Sequence, residues 1–569
     1  MQPTQLNIRG HLSHTFNAIV VGSGISGGWA AKELCEQGLK TLVLERGRQV
    51  EHVIDYPTAM KNPWEFDFRL GTVLSHQAES PIQSVASNEG DRHFYVNDRE
   101  HPYIQETPFS WIRGYQVGGR SLTWGRQCYR WSDLDFEANA KEGIAVDWPI
   151  RYKDLAPWYD YVERFVGISG QAEGLSHLPD GPFLPPMELN CVETHLAGKI
   201  RQHYPDRLLT AARVANLTRG WNGRGPCQYR NLCSRGCPYG GYFSSNSATL
   251  PAAAATGNLT LQPDSIVTHV LFDETTNRAT GVRVMDAHTK QVTEYFARVI
   301  FLNASTIATT AILLNSTSSR FPDGLGNSSG QIGHNLMDHF MMGGANGQHD
   351  GFADQYYEGR RPAGFYVPRF RNINAQTQRT DYRRGFAYQG DGERAEWPDL
   401  ARTVEGFGKS FKNTLAKPGP WTVFMGAWGE TLPYFDNQVT LDADQKDQWG
   451  LPLVRIRFAY QENERNMRAD IKESAEEMLL KAGFRNVQQF YYDLPPGSAV
   501  HEMGTARMGR DPKTSVLNAF NQMHDVPNIY ITDGSCMTSS ACQNPSLTYM
   551  ALTARACAHA VREFKKINL

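Results

Sequence analysis

The chain has 569 residues, with 57 Lys and Arg against 59 Asp and Glu, a formal net charge of −2. That balance excludes a protein held to nucleic acid or a membrane surface by bulk charge. At 40% hydrophobic residues, with 51 glycines and 30 prolines, it is an ordinary globular chain, neither disordered nor fibrous. Its length allows about three to five domains, or two large ones.

Nine cysteines, an odd number, are too dilute for a disulfide scaffold. No run of 18 apolar residues occurs, so no transmembrane helix is expected. The first apolar run, Phe16 to Val21, is short, lacks a preceding cationic patch and flows into a glycine-rich turn. That is no signal peptide, and the chain by itself reads as cytoplasmic.

In chain order, Asn17 to Val21 reads as a buried parallel strand. The turn Gly22-Ser23-Gly24-Ile25-Ser26-Gly27 follows, then a helix from Trp29 to Gln37 stopped by Gly38. A second strand, Thr41 to Leu44, ends in Glu45. Here Gly22 allows the tight turn, Gly24 lets backbone approach a pyrophosphate, and Gly27 lets helix pack on strand. The helix N-terminus offers N–H groups to phosphate, and Glu45 stands where an acid binds ribose hydroxyls. The unit predicts dinucleotide binding without choosing NAD or FAD.

Residues 51–110 show no period, and 111–135 are glycine-rich with Trp. A helix is expected over 150–168, irregular chain over 170–190, and strands within 259–302. Residues 346–420 are polar and aromatic, a cap region. A helix is expected from Glu464 to Ala482 and a last one from about Pro545, with Asn544 as its cap. Between them lie two dense motifs, His501 to Gly509 and Asn528 to Ser535.

Cys227, Cys233 and Cys237 form a C-x5-C-x3-C-P run in a glycine-rich loop. Three thiolates within eleven residues can wrap one metal centre, and the C-x3-C-P ending also occurs in iron–sulfur runs. The spacing is not a usual zinc pattern. A disulfide plus a free thiol is the alternative. The other cysteines read as small buried hydrophobes.

Taken together, the N-terminal fingerprint, Gly118-Gly119-Arg120-Ser121-Leu122-Thr123-Trp124, the His501 motif, Asp533-Gly534 and Asn544-Pro545 resemble the glucose–methanol–choline (GMC) oxidoreductases. Asn335 to His339 and Val439 to Asp442 add to the resemblance, which spans residues 17 to 569. It implies a mixed α/β fold. A Rossmann-like FAD-binding domain would take residues 12–60, 193–345 and 496–569. An interleaved substrate domain on an antiparallel sheet would take 61–192 and 346–495.

The resemblance also implies FAD, with Gly22, Gly24, Gly27, Glu45, Gly118, Gly119, Ser121, Asp533, Asn544 and Thr548 around it. His501 and Asn544, 43 positions apart, match the pair beside the flavin. A neutral imidazole suits removal of a hydroxyl proton, and an amide can hold the oxygen without titrating. Thr123 stands where some sugar-oxidising members carry a flavin-linked His, which implies non-covalent FAD. The cysteine run is similar to the segment that holds a [3Fe-4S] cluster in bacterial sugar dehydrogenase subunits; a [4Fe-4S] cluster with a non-Cys ligand is the variant.

Trp124-Gly125-Arg126-Gln127 and Trp131 to Phe136 resemble most the glucoside 3-dehydrogenase branch, so oxidation of a sugar or glycoside at C3 is expected. Tyr382, Tyr388, Trp397, Trp421 and Trp428 are candidate sugar-facing aromatics. The implied partners are a c-type cytochrome or other acceptor and a small subunit with a twin-arginine signal, which would take the chain to the periplasm. An oxidase using dioxygen and a non-catalytic electron-transfer or assembly subunit are the competing readings.

Overall fold

The computed structural model describes residues 14–67, 74–355, 359, 361–394, 400–401, 404–566 and 568. The opening βαβ unit forms as the sequence predicts. Strand β1 (Thr15–Val21) is buried from Ala18 onward, and β2 (Thr41–Leu44) throughout. The helix Ile25–Glu36 joins them in parallel register, Ala18 beside Thr41 and Val21 beside Leu44. It begins one turn earlier than its apolar pattern suggests, because Gly28 N–H already bonds to the Gly24 carbonyl at 2.7 Å.

The glycines explain why this turn is so tight. Gly22 has φ +92°, and a Cβ there would lie 2.4 Å from the Asn303 carbonyl oxygen. A Cβ on Gly27 would lie 1.9 Å from the Gly22 carbonyl oxygen, so helix and turn touch backbone to backbone.

Around that unit stands a seven-stranded sheet ordered β5-β2-β1-β8-β7-β6, with β16 beside β8. The members are β5 (Leu259–Gln262), β6 (Ser265–Asp273), β7 (Arg278–Asp286), β8 (Val292–Leu302) and β16 (Ile529–Ile531). Strands β5, β2, β1, β8 and β16 are parallel; β6, β7 and β8 run antiparallel. The last helix, Ser546–Lys565, closes this half with an almost wholly buried face.

The second sheet is antiparallel and six-stranded, ordered β15-β9-β12-β11-β10-β4. It takes β4 (Thr210–Ala211), β9 (Phe340–His349), β10 (Phe365–Val367), β11 (Phe386–Arg394), β12 (Trp421–Gly429) and β15 (Arg485–Tyr491). The helices Cys191–His203 and Glu462–Lys481 cover one face through Val192, Leu196, Met467, Ile471 and Met478. On β11, Tyr388 turns to that helical side, donating to the Ile471 carbonyl at 2.6 Å. Its neighbour Gln389 faces the opposite way, as strand alternation requires, and reaches Asn544.

The third sheet is small: β3 (Ile104–Gln105), β13 (Gln438–Lys446) and β14 (Pro452–Arg457).

Helix Cys191–His203 and β4 pack on the antiparallel sheet, and β9 joins it from Phe340. Helix Tyr152–Val166 packs on the last helix, where Tyr159 and Thr548 share a 2.8 Å hydrogen bond. Burial decides these placements, and local sequence pattern does not report which half an apolar face will meet.

Gly27→Ala tests the turn. The added methyl has no free space between two backbones, so a cost of about 1–3 kcal/mol is expected, read as a lower melting temperature in thermal melts.

Candidate active site

One cavity of about 350 Å³ runs from the end of β2 to His501 and Asn544. Its wall includes Gly24, Glu45, Gly119, Ser121, Asp533 and Thr123. A Cβ on Gly24 would meet nothing within 4 Å, so the turn opens directly onto empty space in front of the helix N-terminus. Buried polar atoms without partners, Asn303 Nδ2 and Tyr549 Oη, belong to residues lining the same space. An open glycine turn, a helix N-terminus and unspent donors fit a dinucleotide.

Glu45 is buried, and its carboxylate accepts from the Ser23 hydroxyl at 2.6 Å and from the Ser23 and Gly47 N–H groups at 3.1 Å. Burial pushes its pKa up against those bonds. Asp533 accepts from Thr309 at 2.6 Å and from Ser535 N–H at 3.0 Å, and burial raises its pKa too.

Gly118 supports the turn from behind. Its N–H donates to Ser23 Oγ at 2.9 Å, and a Cβ on it would meet Asn246 Oδ1 at 1.7 Å. Ser121 ties the same loop by donating to the Gly118 carbonyl at 2.6 Å. Gly27 and Gly118 therefore shape the cavity without lining it. Thr548 is not among the lining residues; its hydroxyl is spent on Tyr159.

At the other end the structure brings His501 and Asn544 together, Nε2 to Nδ2 at 3.4 Å. The expected cap role of Asn544 is absent, because its carboxamide is claimed elsewhere. Oδ1 accepts from Gln389 at 2.6 Å, which leaves the NH₂ facing His501. The helix starts with no side-chain cap bond.

His339 completes the set. Its Nδ1 lies 3.0 Å from His501 Nδ1, and its Nε2 bonds to the Ala541 carbonyl oxygen. A carbonyl can only accept, so His339 carries its proton on Nε2. Its Nδ1 is then an acceptor, His501 must donate from Nδ1, and the lone pair of His501 sits on Nε2, beside Asn544. Burial foremost, then His339 and Arg120, hold the His501 pKa well below the ordinary imidazole value. Burial likewise holds His339 at about 4. The pair is neutral.

Asp338, next in the chain, holds the backbone of the same histidine. Its carboxylate accepts N–H groups from Gly497, Ala499 and His501 at 2.9, 3.3 and 3.0 Å. Burial, then Glu502, raises it to about 7. Val500, with φ +59°, sits in a region that β-branched residues rarely adopt, so the loop is held against local preference. Arg120 bonds Glu502 at 2.7 Å on the far side.

Asp338, His339, Gln389 and Glu502 received no role from sequence. Asn335 to His339 was visible as a motif, but its contact with His501 spans 162 positions. The aromatic candidates go the other way. Tyr382, Tyr388 and Trp421 are buried in the sheet core, bonded to Asp470, Ile471 and Phe352. Trp397 lies outside the described residues. Trp124, Arg126 and Gln127 do line the cavity.

Cys227, Cys233 and Cys237 form no disulfide. Burial pushes the Cys227 thiol up to about 11. N–H groups of Tyr229 and Gly241 lie 3.4 and 3.3 Å from the sulfurs of Cys227 and Cys237. Among the described residues no three His, Cys, Asp or Glu side chains stand in metal-holding geometry.

The GMC oxidoreductase models match residues 16–341 and 433–553. The chain belongs to that family. It is 28% identical to 2-methyl-1,2-propanediol dehydrogenase of Mycolicibacterium austroafricanum, over 97% of this chain and 96% of that protein. It is 24% identical to the fructose dehydrogenase large subunit of Gluconobacter japonicus, over 97% and 98%. Pyridoxine 4-oxidase from Mesorbium loti shares the fold, with TM-score 0.61, 15% identity, and coverage of 95% of this chain and 98% of that one. This GMC enzyme is an FAD-dependent oxidoreductase acting on alcohol or sugar hydroxyls. No described helix is long and apolar enough to cross a membrane.

His501→Ala is expected to keep its flavin and lose about 10²- to 10⁴-fold in the rate of flavin reduction, measured by anaerobic stopped flow. His339→Leu removes the acceptor that sets the His501 tautomer and slows reduction, while His339→Gln, which keeps an acceptor oxygen, recovers part of it. Because the His501 pKa is depressed, its neutral form survives as pH falls below about 6.5, the free imidazole value. Activity in the wild type is therefore retained there, and His339→Leu moves the acid limb of the pH profile.

Proposed function

We propose that this GMC oxidoreductase is a dehydrogenase that oxidises a secondary hydroxyl of a sugar or glycoside, at C3 of a glucoside. The observation that carries the alcohol chemistry is the polarised chain from Gln389 through Asn544, His501 and His339 to the Ala541 carbonyl. It leaves one basic lone pair, on His501 Nε2, and one amide donor, on Asn544, side by side at the cavity.

The substrate hydroxyl would donate its proton to Nε2 while the Asn544 NH₂ holds the oxygen as negative charge develops. Non-covalent FAD supplies the hydride acceptor. The proton stays on an imidazole whose other nitrogen is already bonded to His339. The sugar reading draws on the wall residues Trp124 to Gln127, whose indole and guanidinium suit a ring with polar edges, and on the similarity to a fructose dehydrogenase subunit.

In this reading the acceptor is a protein, a c-type cytochrome or similar carrier. Cys227, Cys233 and Cys237 would hold a [3Fe-4S] cluster that supplies one-electron transfer. Its support is three cysteines outside any disulfide in a single loop, with backbone N–H groups aimed at two sulfurs. That loop also meets the flavin wall, since Tyr242 donates to the Leu122 carbonyl, next to Thr123, at 2.7 Å. A small partner subunit carrying an export signal would place the complex in the periplasm. The resemblance to a protein described as a large subunit supports a complex.

Anaerobic titration with a panel of glucosides, hexoses and polyols tests the reading. Glucosides should bleach the flavin and yield a 3-keto product by NMR, with several irons and acid-labile sulfide per chain. Product oxidised at another carbon overturns C3. Less than one iron per chain, together with peroxide formed in air, overturns the relay in favour of an oxidase. Flavin released by acid precipitation is the expected sign of non-covalent binding.

A further inference from the structure

Beyond Glu45 the chain places Arg46 on the cavity wall, at the end remote from His501. Its guanidinium lies over two rings, 4.8 Å from the centroid of Tyr115 and 5.0 Å from that of Trp449. Its Nη2 is 3.4 Å from Asp447. Its Nε is buried and has no partner. His101 stacks on Trp449 at 5.3 Å and meets Tyr115 edge-on at 4.9 Å, and its Nδ1 is also buried without a partner. Two donor-capable nitrogens buried unspent at one place point to a ligand that completes them.

Trp449 and Asp447 belong to the turn 447–451 between β13 and β14. That turn is closed on itself: Asp447 accepts the N–H groups of Trp449 and Leu451 at 2.9 and 3.0 Å, and Gly450 has φ +81°. Two bonds dock it to the β7–β8 connection, Trp449 Nε1 to the Ala287 carbonyl at 2.9 Å and Lys290 Nζ to the Gln448 carbonyl at 2.6 Å. On the β2 side the ring contacts and ion pair of Arg46 hold it. Asp447, Leu451, Pro452 and Leu453 form cavity wall, facing Leu44, Glu45 and the first residues of β6.

The glycine turn marks where a pyrophosphate lies, and His501 marks the reacting end. The space under 447–451 is therefore the adenosine end. We propose that Arg46, gripped by Tyr115 and Trp449, closes the turn 447–451 over the adenosine half of FAD and gives its free Nε–H to that half. Arg suits this place because its weakly hydrated cation meets the ring faces while a separate, fixed N–H donor stays free, which an ammonium of Lys cannot match. The inference rests on the reading of the cavity as an FAD site.

Apo-protein titrated with FAD, followed by fluorescence for affinity and by dilution for release rate, tests it. Arg46→Ala and Trp449→Ala should each raise Kd about tenfold and speed release. The double variant should be little worse than either single, because the two side chains act as one clasp. Trp449→Phe keeps a ring over the cation and should stay near wild type, which separates clasping from misfolding. Kd within twofold of wild type in both Ala variants, or losses that simply add, overturns the clasp. Wild-type apo-protein that takes up no FAD would instead overturn the flavin reading itself.

Discussion

The backbone contact between Gly22 and Gly27 sets the rest of the molecule. With no Cβ at either position, the helix after β1 starts against its own strand, and its first N–H groups look into the cavity. Everything else around the cofactor is packed from behind onto that turn. Ser23 takes the Gly118 N–H, Gly119 lies over Gly24, Asn303 closes on Gly22, and Glu45 returns from β2 to grip Ser23. A side chain at the turn would move several of these at once, which is why local sequence there is so restricted.

The His501 end is built on the opposite plan. Its residues come from the segment just before β9, from β11, from the 497–509 loop and from the segment before the last helix. Asp338 and His339, adjacent in the chain, divide the work: one holds the backbone of His501, the other its ring. Direction in the chain of hydrogen bonds comes from its far end, where the Ala541 carbonyl can only accept. A main-chain atom thus decides which nitrogen of His501 carries the lone pair.

The antiparallel sheet supplies one side chain to this site and buries many others. Strand alternation puts Gln389 toward Asn544 and Tyr388 toward the helices. The same alternation removes Tyr388 from contact with substrate, and Tyr382 and Trp421 are likewise spent on the sheet's own core. Aromatic residues in a polar stretch look alike in sequence whether they face a sugar or a helix. Only the face of the strand separates the two.

What sequence alone determined is the local part: the βαβ unit, the tight turn at Gly22 and the close packing at Gly27, and the family; motif order also pointed to the nearness of His501 and Asn544. Those signals survive in sequence because they depend on residues within one turn or on a family's motif order. The tertiary structure decided the tautomer of His501, the amide orientation of Asn544, the half that each helix joins, and the fate of Thr548. It also placed Arg46, which received no role from sequence, against two rings from segments 69 and 403 positions away. These depend on hydrogen-bond direction and burial across long separations, which no window of sequence contains.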